Sequence, residues 1–415
     1  MNLCKACPGL VAAFLFITLF VNNATAGWRS FYRAPGAAAA EKLALDGDGN
    51  VYVAGSVAQN SGSRINIVKY DSDGHPLQIY SYDSEADYDQ LADFAVTEDG
   101  KIYLLANLFT TNWSSAVVKL DTDGTPLWDK RSEGVLIALA LDDMRNAIVG
   151  GAITPEDGFR DNLLIKYQGD GTKLWQRQFD SANSVISVGY DVAVDKAGNV
   201  FLVGFGFTIA KFNAEGDALW EKSYAGERAY QAIVDNEGNI YVTGQFFEAG
   251  ALTVKLNPAG DEIWQFSYDQ RGPGNAPTEP CDIALDPQGN VFVATREKQK
   301  YELLKLGPDG TLLWNRKQSG KVNTLFSSVA VDAQGFSWLL LTAPVSQRND
   351  NVMISGYDAN GKRKAFARLN NGKSGPHLAS DLLLDAQGDP IATFFGRQEG
   401  VAGWYTSKLS RTRRD

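Results

Sequence analysis

Histidine is almost missing from this 415-residue sequence: His75 falls in a tight turn and His377 in a long loop. So few imidazoles argue against a zinc site of several histidines and against a histidine-ligated haem. Serine–histidine hydrolysis would have to run through His377, and no Gly-x-Ser-x-Gly elbow is present to carry the nucleophile. Cysteine is equally scarce. Cys4 and Cys7 lie in the N-terminal segment and only Cys281 lies beyond it, so the rest of the chain has no internal disulfide to form. Cys281, between Pro280 and Asp282, reads as a small buried hydrophobe rather than a nucleophile. Past the N-terminus no apolar run is long enough to cross a bilayer.

The N-terminal segment has the form of an export signal. Lys5 precedes an apolar core from Leu10 to Val21, and Ala24-Thr25-Ala26 places small residues where a peptidase would cut. Residues 1–26 are therefore expected to be a signal peptide and 27–415 a single mature domain. The product is expected in the periplasm or the medium, with no membrane insertion after cleavage. A lipid anchor would need a cysteine just after the apolar core, and Cys4 and Cys7 both precede it.

Positive charge is also in short supply. Losing Lys5 leaves 38 basic side chains against 49 acidic ones, a formal charge of −11. That balance argues against nucleic acid and anionic lipid, both of which require a basic surface. A cationic partner or metal ion fits it better.

What the chain does have is a repeat. Eight segments share one pattern, shown by the fifth copy: Gln231-Ala-Ile-Val-Asp235, the turn Asn236 to Asn239, then Ile240-Tyr-Val-Thr-Gly244. After a gap come Leu252-Thr-Val-Lys-Leu256, a second turn Asn257 to Gly260, and Ile263-Trp264 onward to Tyr268. The first turns begin at Asp46, Thr97, Asp142, Asp195, Asp235, Asp286, Asp332 and Asp385, about 48 residues apart on average, a period typical of propellers. Each copy reads as four short strands of Val, Ile, Tyr and Phe punctuated by Gly, Asn and Asp. The fold expected is an all-β, eight-bladed propeller of four-stranded antiparallel blades.

The eighth copy stops at its third strand, Trp404 to Leu409, while Trp28-Arg-Ser-Phe-Tyr32 mirrors Trp220-Glu-Lys-Ser-Tyr224. Residues 28–32 are therefore expected to complete the last blade and close the ring, removing an exposed edge. Five copies carry tryptophan four residues after the second glycine, at Trp128, Trp175, Trp220, Trp264 and Trp314; Gln78 and Ala365 stand there in the first and seventh. A large ring recurring at one blade position is expected to pack between blades.

The Asp-x-x-Gly-Asn-Val-Tyr-Val element, followed by Val-Lys-Tyr-Asp-x-Asp-Gly-x-x-Leu-Trp, resembles bacterial secreted β-propeller repeats of the SBBP type. The Gly-x-x-x-Trp element is similar to the docking repeats of the quinoprotein-like propellers, including the outer-membrane assembly lipoproteins with eight such blades. The resemblance spans nearly the whole mature chain but implies fold rather than activity. Quinoprotein dehydrogenases of this form commonly use an adjacent-cysteine disulfide near the cofactor, and one mature cysteine cannot make it.

The spacings 51, 45, 53, 40, 51, 46 and 53 between first turns alternate long and short, which suggests four two-blade units. Four long loops lead to Asp93, Asp191, Asp282 and Asp381, whereas Lys42, Ala138, Gln231 and Ser328 take that place in the other copies. Four carboxylates are thus expected round one mouth of the channel. Such an oxygen ring suits Ca²⁺ or a basic segment, and equally suits holding backbone N–H groups of the loops. No other cofactor is implied. Asp46, Asp48 and Asn50 imitate the start of a calcium loop, but Val51 replaces its glycine and no Glu follows at the twelfth position.

The most acidic loop, with Asp83, Glu85, Asp87 and Asp89 around Tyr88, reads as an interaction patch. Trp113 and Arg271 lie in loops expected on the same variable face, as do Arg160, Phe246, Phe247, Arg296, Arg348 and Arg397. The function expected is non-enzymatic: a monomeric secreted binding or scaffold module that engages a protein or glycan through that face. The alternative is a polysaccharide-active hydrolase or lyase using carboxylates at the channel mouth.

Overall fold

A computed structural model describes residues 24–34, 36, 38–156, 158–180, 187–224, 226–246, 250–269, 278–297, 300–319, 327–346, 349–369, 378–398 and 401–411. The fold is an all-β, propeller-like array of four-stranded antiparallel sheets. The third copy is representative: Val135–Leu141, Ala147–Ile153, Asp161–Tyr167 and Lys173–Phe179 pair in chain order from the innermost strand outward. Six sheets have four strands each. A seventh holds the strands of the first two copies, joined by one parallel pairing of Ser63 with Tyr88. The sheet of the eighth copy contains Leu378–Leu384, Pro390–Gln398, Val401–Arg411 and, antiparallel to the last, Ala24–Arg33. Because that N-terminal strand starts at Ala24, cleavage after Ala26 would trim its first three residues and leave the register from Trp28 to Arg33 intact.

The strands are apolar on both faces, and the core lies between sheets. Tyr103, Leu105 and Val117 of one copy pack with Leu136, Val149 and Ile165 of the next. In the same manner Val51, Val53 and Tyr70 of the first copy share a cluster with Ile391 and Trp404 of the eighth. Cross-strand aromatics fasten the N-terminal strand: Phe31 lies 4.6 Å from Tyr405 and Tyr32 lies 4.4 Å from Trp404, ring centre to ring centre.

Turn chemistry explains the punctuation. The aspartate opening a first turn caps it with its own carboxylate, and in the second copy the Thr97 hydroxyl does so by accepting the Lys101 N–H at 3.0 Å. Asp235 Oδ1 accepts from the N–H of Glu237 at 3.0 Å and of Asn239 at 2.9 Å. Gly238 follows at φ +80°, in the left-handed region where a Cβ is penalised. Only the third copy departs from glycine there, with Arg145 at φ +60°.

The tryptophans are docking residues. The indole N–H of Trp128, Trp175, Trp220, Trp264 and Trp314 donates to a carbonyl in the second turn of the following copy, at 2.9–3.1 Å. Trp28 does the same to Ser72 of the first copy at 2.9 Å. The rings of Trp128, Trp175, Trp220 and Trp264 lie against the glycine of the receiving turn, so that a Cβ on Gly171 would sit 2.8 Å from Trp128. In the first copy the hydroxyl of Tyr80, not Gln78 alone, takes the indole's part by donating to Thr122 O at 2.9 Å. Beneath the turns, third-strand lysines meet the turn aspartates. Lys166 Nζ stands 2.9 Å from Asp142 Oδ2, both side chains 3% exposed.

Candidate functional site

Asp93, Asp191, Asp282 and Asp381 stand in mid-strand, each just past a shift in the ladder at 91/93, 189/191, 280/282 and 379/381. A bulge of this kind twists the strand and re-aims the residue that follows. One oxygen of each carboxylate accepts the N–H of the next residue: Phe94, Val192, Ile283 and Leu382, at 2.8–3.0 Å. The other accepts an N–H from the inner strand of the neighbouring sheet: Leu139, Ala232, Val329 and Leu43, at 2.8–3.0 Å. The four residues are therefore clamps across alternate sheet–sheet junctions, which gives the two-copy period a physical form. The hydrogen bonds run to the strand's own next residue and to the neighbouring sheet, rather than within the connecting loops.

Lys42 takes the same place in the first copy and holds Asp93 Oδ1 at 3.1 Å. Ser328 Oγ donates to Asp282 Oδ2 at 2.7 Å. Crowding has electrostatic consequences. Burial, with the charge of Asp93 added, pushes the Asp191 carboxyl up to about 7 against its two backbone hydrogen bonds. Burial likewise pushes Asp381 up to about 6 and raises Asp282. Burial alone would lower Lys42, but the charges of Asp93, Asp381 and Asp191 outweigh it and raise its ammonium above the ordinary range. Among the described residues no group of three or more His, Cys, Asp or Glu is placed to hold a metal ion.

The acidic loop divides. Asp83, Glu85, Asp87 and Tyr88 are exposed. Asp89 is wholly buried, and its carboxylate folds the loop by accepting from the Ser84 N–H at 2.7 Å and from the Ser84 hydroxyl. Its backbone is held in turn by Ser63 Oγ. Asp89 thus belongs to the scaffold of the patch, not to its contact surface. A reversing loop needs acceptors for its own N–H groups, and composition does not tell such a carboxylate from a solvated one.

Tyr88 and Trp113 come together. Tyr88 opens an inner strand, Phe109 closes the next strand and Trp113 opens the third, so all three emerge on the variable-loop face. Phe109 lies 6.3 Å from Tyr88 and 5.1 Å from Trp113. Tyr88 is 51% and Trp113 46% exposed. This aromatic shelf walls a cavity of about 530 Å³ with Glu41, Ser56 and Gln90. On one side the cavity shares Glu41, Ser56 and Ser63 with an apolar space of about 730 Å³. On the other it shares Gln90 and Trp113 with a more polar one of about 860 Å³ that reaches Arg160. Adjoining through these shared residues, the three make a groove that runs from the eighth copy through the first, second and third to Val188 of the fourth. On the opposite face a space of about 570 Å³ opens between the turns at Asp235 and Asp286 and is lined by residues of the repeat pattern itself.

Arg296 is tied to Glu279 at 2.6 Å, and Cys281 is half-buried at a bulge. Phe246 is half-buried at the end of its strand and Arg397 is exposed. Arg271, Phe247, Arg348 and His377 lie outside the described residues. Sequence reasoning singled out neither Phe109 nor Glu41. The signal for Glu41 was available: with the copies aligned on Lys42, Asp93, Ala138 and their equivalents, it is the one acid in the preceding column.

Residues 90–252 match the family model of the outer membrane protein assembly factor BamB, and residues 47–76 match a β-propeller domain of unknown function. No curated protein sequence matches the chain. Among solved structures, the chain is similar to the C-terminal WD40 domain of Sif2, with a TM-score of 0.62 at 10% identity, covering 91% of this chain and 98% of that one. It is equally similar to Sqt1 of Chaetomium thermophilum, with a TM-score of 0.62 at 10% identity over 94% and 98% of the two chains. Identity at that level shows a shared fold. The chain is thus a β-propeller with quinoprotein-like similarity in its repeats.

Proposed function

We propose that the chain is an exported, eight-bladed propeller that serves as a binding or scaffold module through the groove on its variable-loop face. In this reading the N-terminal strand completes the eighth blade. Its support is the pairing of Trp28–Arg33 with Gly403–Lys408, together with the same indole-to-turn bond that joins other neighbouring copies. A variant lacking residues 27–33 is expected to lose cooperative unfolding or to self-associate through the bared strand; a monomer melting like the parent would contradict closure. Export with cleavage after Ala26 is read by N-terminal sequencing of secreted protein.

The observation that carries the binding role is the cluster of exposed Tyr88 and Trp113 around half-buried Phe109 at the wall of the groove. Exposed aromatics grouped over a cavity are common anchors for ligands. An enzymatic role on polysaccharide gains less support. The carboxyls pushed up in the ring, Asp191 and Asp381, already accept backbone N–H groups on both oxygens. Glu41 has its pKa raised by burial but has no second acid beside it in the wall of the aromatic-lined cavity, and Glu133 lines the separate, more polar end of the groove. No cofactor is needed, and Ca²⁺ would have to displace N–H groups from the four clamps.

The test is binding of a glycan panel and a displayed peptide library to the parent protein and to Trp113→Ala. Ligands of either class are expected to weaken roughly tenfold, the scale of a lost aromatic anchor, and to be indifferent to Leu219→Ala, which changes an exposed residue on an outer strand. Ligands that survive Trp113→Ala and Tyr88→Ala but fall with changes on the turn face would contradict it.

A further inference from the structure

We propose that the groove takes an extended segment of a partner protein that sets a lysine or arginine on Glu41 and an apolar side chain in the adjoining alanine-lined space. The inference rests on the binding role above and names its ligand.

Glu41 is placed by a bulge. Its N–H donates to Ala54 O at 2.9 Å while Lys42 is the ladder partner of Ala54, so two residues oppose one. The corresponding residues in other copies include Ala92, Ile137, Tyr230 and Ser380, and none is acidic. The position therefore serves no need of the repeat. The Glu41 carboxylate accepts the Ser56 N–H at 3.2 Å, and no lysine or arginine reaches it among the described residues. The neighbouring ammonium, Lys42, is engaged by Asp93. Burial raises the Glu41 carboxyl and outweighs both its hydrogen bonding to Ser56 and the nearby charge of Lys42. A cation brought by a ligand would supply what the fold leaves out.

Three further features agree on the class of ligand. The adjoining space is walled by Ala38, Ala39, Ala58, Leu378 and Phe395, with few groups able to hydrogen-bond. Sugar hydroxyls buried there would lose water without gaining partners, whereas an aliphatic side chain would not. Exposed Asp83, Glu85 and Asp87 on the loop leading to Tyr88 carry the sign that attracts a basic segment. The faces of Tyr88 and Trp113 accept a guanidinium or an aromatic side chain equally well.

The test is selection of a random displayed heptapeptide library on the folded full-length protein, with a glycan panel in parallel. The expected outcome is a consensus with a basic residue beside an aliphatic or aromatic one. A synthetic consensus peptide should bind Glu41→Gln about tenfold more weakly, the scale of a charge-assisted contact. Replacing its basic residue by glutamine should cost the same, and the Glu41→Gln variant should then lose nothing more. Glutamine keeps the acceptor for Ser56, so an unchanged melting temperature separates loss of charge from loss of fold. A consensus without a basic residue, or one indifferent to Glu41→Gln, overturns the inference while leaving the groove as a binding site. Glycans that bind and are lost with Trp113→Ala also overturn it, with the same consequence. No selected peptide and no bound glycan overturns both.

Discussion

The two faces of this propeller are built by different rules. On the turn face the copies draw on one set of parts, with single substitutions such as Thr97, Arg145, Tyr80 and Gly356: an aspartate-capped turn, a glycine at positive φ, a third-strand lysine and an indole reaching the next copy. On the loop face no two copies agree, and the connections range from a two-residue return at Gly206-Phe207 to long loops. Uniformity marks what must be satisfied in copy after copy for sheets to pack. Singularity marks what the packing does not require, and there the groove lies.

The sharpest way to break this division is to remove one member of a buried pair on the turn face. Lys166→Met leaves Asp142 buried without its cation and is expected to cost about 3–5 kcal/mol in chemical denaturation. Trp264→Ala removes a docking ring that is 8% exposed and should cost about 3 kcal/mol. Asp282→Ala unfastens one clamp and leaves the N–H groups of Ile283 and Val329 unpaired, an expected loss of about 2 kcal/mol. On the loop face, Trp113→Ala should change stability by less than about 0.5 kcal/mol, as for an exposed residue outside the core. A loop-face change as costly as a turn-face one would abolish the distinction.

A smaller effect is the pH dependence. Asp191 and Asp381 have folded-state carboxyls raised to about 7 and about 6, so the folded chain binds these protons more readily than the unfolded one. Their contribution is most favourable at low pH and is lost as pH rises through those values. The turn aspartates act oppositely. Asp142 is lowered, against burial, by hydrogen bonds from Lys166 and Asn146, and its contribution is lost as pH falls through its depressed folded value. The melting temperature should therefore peak near pH 5, and Asp191→Asn should flatten the decline toward pH 8. A melting temperature that rises steadily to pH 8 would contradict the directions given. Titrating Ca²⁺ into chelator-stripped protein should leave the melting temperature unchanged; a saturable rise, lost when the four clamp aspartates become Asn, would make them an ion site.

The contrast between faces also explains what could be read in advance. Turn residues are dictated locally, by φ and by backbone N–H groups in need of acceptors, so Asp46, Gly49 and their equivalents announce themselves in one copy and repeat in the rest. Docking by Trp128 and its kin followed from recurrence. The four ring aspartates stood out by alternation, but their hydrogen bonds cross to the neighbouring sheet, a tertiary fact that no local pattern holds. Asp89 was misplaced for a similar reason, because Ser84 and Ser63 come to it only when the loop closes. Substitutions within the pattern were opaque too. In the seventh copy Gly356 replaces the third-strand lysine, because Phe336 and Trp338 fill its space and a Cβ there would lie 2.7 Å from Phe336. Glu41 was invisible in one copy read alone, its singularity emerging only from the column it interrupts.

The most direct measurement is a titration of the consensus peptide into Trp113→Ala beside Trp264→Ala, both kept below their melting temperatures. Binding should weaken about tenfold for Trp113→Ala and stay at the parental level for Trp264→Ala, which loses stability instead. Parental affinity in Trp113→Ala would contradict the assignment of recognition to the loop-face groove.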